Sequence, residues 1–173
     1  MKTSTIIRTN LVIGVLMMTS NVYLLAQETL PEITVTEARY KYLNAVNPED
    51  AAQPVNMLEH YAAAYDLKGA EFYEDEYDNY IVSFFIPNGK ILAFYDKDGK
   101  LLRTAERFKN TAVPLQISKA VAKKFPNWTI SRDVYVVTYH ANSGSANKQI
   151  YKLMLENSGK RMRVKLNSEA EFL

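Results

Sequence analysis

Two proline-led amphipathic segments lie sixty residues apart and constrain the chain more than any other feature. They are Pro54-Val-Asn-Met-Leu-Glu-His-Tyr-Ala-Ala-Ala-Tyr65 and Pro114-Leu-Gln-Ile-Ser-Lys-Ala-Val-Ala-Lys-Lys-Phe125. Val55, Met57, Tyr61, Ala62 and Tyr65 align with Leu115, Ile117, Val121, Ala122 and Phe125. Apolar positions at this spacing predict a helix with proline in its first turn. Each helix should end near the breaker that follows it, Gly69 in the first case and Pro126 in the second.

Alternating, β-rich segments follow both helices. The first set is Ala70–Tyr77, Tyr80–Ile86, Ile91–Asp96 and Leu101–Phe108; the second is Trp128–Tyr139, Gln149–Glu156, Arg161–Leu166 and Glu169–Leu173. Pro87-Asn-Gly-Lys90, Lys97-Asp-Gly-Lys100 and Asn157-Ser-Gly-Lys160 supply hairpin turns, because Asn, Asp and Gly tolerate positive φ. The last of these lies seventy residues after its counterpart, so the extra ten residues fall in the Ser- and Asn-rich loop His140–Lys148. The expected fold is α+β: two tandem α-β-β-β-β repeats, residues 54–110 and 111–173, with helices on one face of antiparallel sheet. Residues 28–53 should form a strand (Ile33–Leu43 alternates at its start) and a loop.

Residues 1–27 have the layout of a signal peptide. Lys2 and Arg8 precede the eight-residue apolar run Leu11–Met18, which is too short to span a bilayer, and cleavage is expected just before Glu28. The expected location is periplasmic or secreted, with no membrane association after cleavage. The formal charge of +2 comes from Lys2 and Arg8, so the remainder is neutral, and nothing in net charge points to nucleic acid. With no cysteine, disulfides, thiolate metal sites and cysteine nucleophiles are excluded.

A helix ending in Phe125-Pro126, a strand opening with Trp128, and hairpins closed by Asn-Gly or Asp-Gly turns, all in duplicate, resemble the PepSY-like proteins. That family is related in fold to β-lactamase-inhibitory protein (BLIP-like) and is common among exported proteins of Bacteroides-type bacteria. The resemblance covers roughly residues 54–173. It implies a sheet that grips a partner protein.

The chain shows little machinery for catalysis. His60 and His140 are the only histidines, and nothing in their spacing brings them to one metal. Glu74-Asp-Glu-Tyr-Asp78 is dense in carboxylates but lacks calcium-loop spacing, and suits a charged strand edge. Asp96-Lys-Asp-Gly99 reads as a turn, since the later ligands of an EF-hand are missing. No nucleophile elbow or phosphate-binding glycine loop is present. No catalytic residue, metal site or cofactor is expected.

Alternation in the second repeat puts Tyr151, Leu153, Leu155, Met162, Val164 and Leu166 toward the helices. It leaves Arg161, Arg163 and Lys165 as a basic outer face, either simply solvated or steering an acidic ligand. Transferred to the first repeat through the turns, this pattern buries Val82, Phe84, Leu92 and Phe94 and exposes Ile81, Phe85, Ile91 and Tyr95. An apolar patch on an open sheet marks an interaction site. Three occupants are expected for it: a protein or peptide partner, the chain's own segment Ile33–Leu43, or a second copy in a homodimer. The leading function is an exported, non-enzymatic binding or inhibitor-like module. The alternatives are a structural or small-ligand-binding envelope protein and, behind it, a cation-dependent hydrolase.

Overall fold

The computed structural model describes residues 37–46, 51–143 and 146–173; the expected leader and residues 33–36 lie outside them. Among these residues, three helices and six strands follow one another as α1 (Glu37–Val46), α2 (Gln53–Ala64), β1 (Asn79–Ile86), β2 (Gly89–Asp96), β3 (Leu101–Lys109), α3 (Leu115–Lys124), β4 (Thr129–His140), β5 (Ala146–Asn157) and β6 (Lys160–Asn167). The strands form a single antiparallel sheet in chain order, so the fold is α+β. The middle pairing, β3 with β4, runs from Arg103 opposite His140 to Lys109 opposite Val134 and joins the two halves edge to edge.

Each half contributes three strands rather than four. The Ala70–Tyr77 segment turns back on itself through bonds such as Ala70 N–H to Leu67 O and Tyr73 N–H to Ala70 O. Its run of carboxylates has no strand neighbour to pair with. The last segment, Glu169–Leu173, makes only one bridge, Phe172 opposite Leu166, after a turn held by the Asn167 side chain. Glu37–Val46 is helical rather than extended; one face buries Tyr42 and Val46.

Turn chemistry sets the register, with one surprise. Gly99, Ser158 and Gly159 have positive φ, as their turns require. Gly89 does not; it is the first residue of β2, where an added Cβ would lie 2.6 Å from Phe108 Cδ1. The glycine of Asn88-Gly89 is therefore needed for close packing against the third strand, not for turn geometry. In the β2–β3 turn, the Asp96 carboxylate accepts the N–H groups of Asp98 and Lys100 at 3.0 and 2.9 Å.

All three helices sit on one side of the sheet. α2 lies over β2, where the Tyr95 hydroxyl donates to Ala62 O at 2.6 Å. α1 lies over the centre, where Gln149 Nε2 donates to Ala45 O and Val46 O, both at 3.2 Å. α3 buries Ile117 and Val121, and Phe125 beyond its end packs edge-on against Phe172. In α2 the buried residues are Val55, Leu58, Glu59, Ala62 and Ala63, while Met57 and Tyr61 are exposed. Leu58 and Ala62 thus take the places of Ile117 and Val121, one residue off the alignment of the two prolines. Leu115 is likewise exposed.

Candidate functional site

The sheet has two unlike faces. On the covered face Tyr80, Ile91, Ala93, Tyr95, Phe108, Tyr135, Val137, Tyr139, Tyr151, Leu153, Leu155 and Leu166 are buried. Tyr135 stacks on Tyr151 with centroids 4.4 Å apart, and Tyr42 of α1 meets Tyr139 edge-on at 5.1 Å.

At the centre of this face lies a pair of buried carboxyl groups. Glu59 projects from the same stripe of α2 as Val55 and Ala62, and Glu106 from the same face of β3 as Thr104 and Phe108; Glu59 is 0% and Glu106 2% exposed. Glu106 Oε1 accepts the Tyr42 hydroxyl at 2.9 Å and the Thr104 hydroxyl at 2.5 Å. Neither oxygen of Glu59 meets a donor. A buried carboxylate in that position is prohibitive, so the group keeps its proton. Burial, then the nearby Glu106 charge, raises the Glu59 pKa well past neutrality, so that the protonated group can donate toward Glu106. Burial also raises Glu106, and the bonds from Thr104, Tyr42 and Glu59 hold it back. Burial first, and then the two glutamates, raise Tyr42. The pair has the chemistry of a proton-sharing dyad, but neither carboxyl lines the cleft between α1 and the β2–β3 turn, the groove beside Phe85, or the hollow at Tyr73–Glu76. Its position ties α1, α2 and β3 together. The alternation of β3 and the period of α2 both place these glutamates inside, so attention to charge at apolar positions would have found them.

Among the described residues, no helix lies on the second face. By register its exposed cations are Lys90 of β2, Arg103, Arg107 and Lys109 of β3, Arg132 of β4, Lys148 and Lys152 of β5, and Arg161, Arg163 and Lys165 of β6. These are ten of the nineteen Lys and Arg residues that remain when Lys2 and Arg8 are set aside from 21. Two acidic residues share the face. Asp96 is turned into its hairpin, and Glu156 pairs with Arg161 at 3.5 Å. Between the cations lie half-buried Leu92, Phe94, Val134, Val136, Ile150 and Met154, with the Arg103 guanidinium 3.9 Å above the Phe94 ring.

The expected site residues divide between the two faces. Ile81 and Phe85 stand on the open face, 64% and 76% exposed, and Arg161, Arg163 and Lys165 are exposed on it too. Ile91 and Tyr95 do not join them; both are buried under α2. The reason is the two-residue turn Pro87-Asn88, which pairs Ile86 with Gly89 and hence Ile81 with Phe94 and Phe85 with Lys90. A two-residue loop sets odd positions of β1 opposite even positions of β2, so Leu92 and Phe94 are the open-face residues. Residues 37–43 of the expected covering segment belong to α1, on the helix side, and do not cover the open face; residues 33–36 lie outside the described residues.

The remaining features are smaller. His60 is exposed on α2, and His140 lies opposite Arg103. No group of three or more His, Asp or Glu residues placed to hold a metal occurs among the described residues. A cleft of about 900 Å³ opens between the start of α1, the end of α2 and the β2–β3 turn, lined by Arg39, Lys41, Tyr65, Lys68, Asp98 and Tyr139. Lys68 and Asp98 form an exposed ion pair across it at 3.4 Å. No helix among the described residues is long and apolar enough to cross a membrane. No protein-family model matches the chain, and no curated protein matches its sequence.

Proposed function

We propose that the chain is an exported, non-enzymatic binding protein, inhibitor-like in action, that docks a partner protein on the open face of its sheet. One observation carries this reading: among the described residues, three helices cover one side of a six-stranded sheet and none covers the other, where Ile81 and Phe85 stand exposed. Large apolar side chains on an uncovered face favour burial against a partner. The order helix–three strands, helix–three strands fits two copies of one unit and is compatible with the PepSY-like, BLIP-like resemblance. The N-terminal basic and apolar layout supports export to the periplasm or beyond.

The test is site-specific photo-crosslinking in cells, with the reactive group placed at Phe85, at Val136, or at Lys123 on exposed α3. Adducts with a second polypeptide from Phe85 and Val136 but not from Lys123 are expected. Adducts of twice the chain's mass would make the face a homodimer surface instead. Adducts from Lys123 alone would remove the proposal. A small-ligand envelope role is the second reading and would use the cleft beside Arg39 and Lys68; crosslinks from neither face position, with ligand-induced protection of the cleft, would favour it.

A further inference from the structure

The open face is sorted by charge, and the sorting follows the strands. β4 runs through the middle with Val134 and Val136 as a half-buried floor. Register places Lys109 and Lys152 on either side of Val134, with Arg107 beside Val136 and Lys148 one step further along. Neighbouring strands are ~4.8 Å apart, and same-face residues along a strand repeat every ~7 Å. The result is a shallow trough with an apolar floor and cationic walls.

Its like charges are not dispersed. Lys90 lies directly opposite Arg107, and Lys152 directly opposite Lys165. Such pairs destabilise a sheet, and the fold does not require them on a face open to water. The unpaired cations demand an anionic partner, and the geometry selects among anions. The apolar residues are recessed between longer basic side chains, so they are poorly placed to insert into a bilayer. The floor is aliphatic and offers no aromatic platform for bases of the kind single-stranded nucleic acids stack on. An extended polypeptide presents alternate side chains every ~7 Å, the same repeat as the trough.

We infer that the trough along β4 receives an extended acidic segment of the partner protein, with carboxylates reaching Arg107, Lys109, Lys148 and Lys152 and small apolar side chains resting on Val134 and Val136. This rests on the proposed docking role of the open face and adds the chemistry of the partner.

The experiment measures fluorescence anisotropy of a labelled alternating Glu–Val decapeptide with the full chain at ~50 mM salt, where charge pairs are weakly screened. Binding is expected, weakened at least about ten-fold by R107E/K152E and by ~500 mM salt, and unchanged by K119E/K123E on α3. The reversed side chains are exposed, and circular dichroism checks folding; R107Q/K152Q serves if the reversal unfolds. No peptide binding, or binding that the substitutions leave intact, overturns the inference. So does capture of vesicles containing phosphatidylglycerol, or of a DNA oligonucleotide, in preference to the peptide. If crosslinks from Phe85 and Val136 persist while the peptide fails, only the acidic-segment inference falls; if both are absent, the docking role falls with it.

Discussion

Stability of this protein should decline as pH rises from 5 to 8, and one atom substitution should abolish much of that decline. Glu59 and Glu106 both have native pKa values raised by burial above the ordinary value of 4.5. A raised carboxyl means that the folded state binds more protons than the unfolded chain. The stabilisation is then complete below the unfolded pKa and is lost as pH climbs toward the folded one. With Glu59 protonated in the fold and ionised in the unfolded chain, each pH unit above ~5 removes about 1.4 kcal/mol. Over three units the loss is about 4 kcal/mol, an upper bound that local rearrangement around the pair would reduce. Glu59→Gln keeps the shape, cannot ionise, and can donate its amide N–H to Glu106 in place of the shared proton. Urea unfolding followed by circular dichroism at pH 5, 6, 7 and 8 is the assay. Near pH 5 the variant should match the wild type to within about 1 kcal/mol; at pH 8 it should exceed it by roughly 2–4 kcal/mol. A wild-type stability that is flat or rises over this range, or a variant that parallels it, would refute the dyad.

Tyr42→Phe removes a buried donor to Glu106 and should cost about 1–3 kcal/mol at pH 7 in the same unfolding assay. Gly89→Ala drives a methyl group against Phe108 and Ile86 and should cost roughly 1–3 kcal/mol, although φ at Gly89 is not positive; a neutral result would show that Phe108 yields easily. Lys165→Glu sets opposite charges across from Lys152 and should stabilise the sheet by about 0.2–1 kcal/mol while weakening the acidic peptide in the anisotropy assay. Intact mass of the exported protein should correspond to a chain starting near Glu28; a product that retains Lys2 and Arg8 would overturn the leader assignment.

Local chemistry made most of the elements legible. Six of the eight strands expected after the two helices are present because their alternation and turn residues agree, as at Asn157-Ser-Gly-Lys160, where Ser158 and Gly159 both adopt positive φ. The failures have physical causes. Tyr73 and Tyr77 gave Ala70–Tyr77 the look of alternation, but these two rings pack from a turn against Tyr80 of β1 (Tyr73 stacks on it at 5.4 Å) instead of lining a strand of their own. Ile33–Leu43 alternates as a strand only at its start; from Glu37 on, Tyr42 and Val46 are one helical turn apart and supply the buried stripe of α1. Face assignment in β2 depended on a single integer, the loop length after Ile86, and composition does not specify it. Half of the site was visible: Ile81, Phe85, Arg161, Arg163 and Lys165 needed only alternation. The trough needed the β3–β4 pairing between residues some thirty positions apart, which no local pattern encodes.

The two faces show opposite ways of handling charge, and the contrast bears on function. On the covered face, charge is suppressed: Glu59 keeps its proton, and Glu106 is surrounded by hydroxyl donors. That arrangement serves packing, because it lets α1 and α2 settle on β3 without an unpaired ion. On the open face, charge is concentrated. Lys90 faces Arg107 and Lys152 faces Lys165, although alternating signs at those positions would stabilise the sheet. Carboxylates are available in the chain, with Glu74, Asp75, Glu76 and Asp78 grouped in the loop before β1 instead of spread among the cations. A fold governed by stability alone has no reason to keep the two signs apart. Sites where local rules are broken without a structural return are where function is expected, and here the broken rule runs along β2, β3, β5 and β6 on the face that no described helix covers.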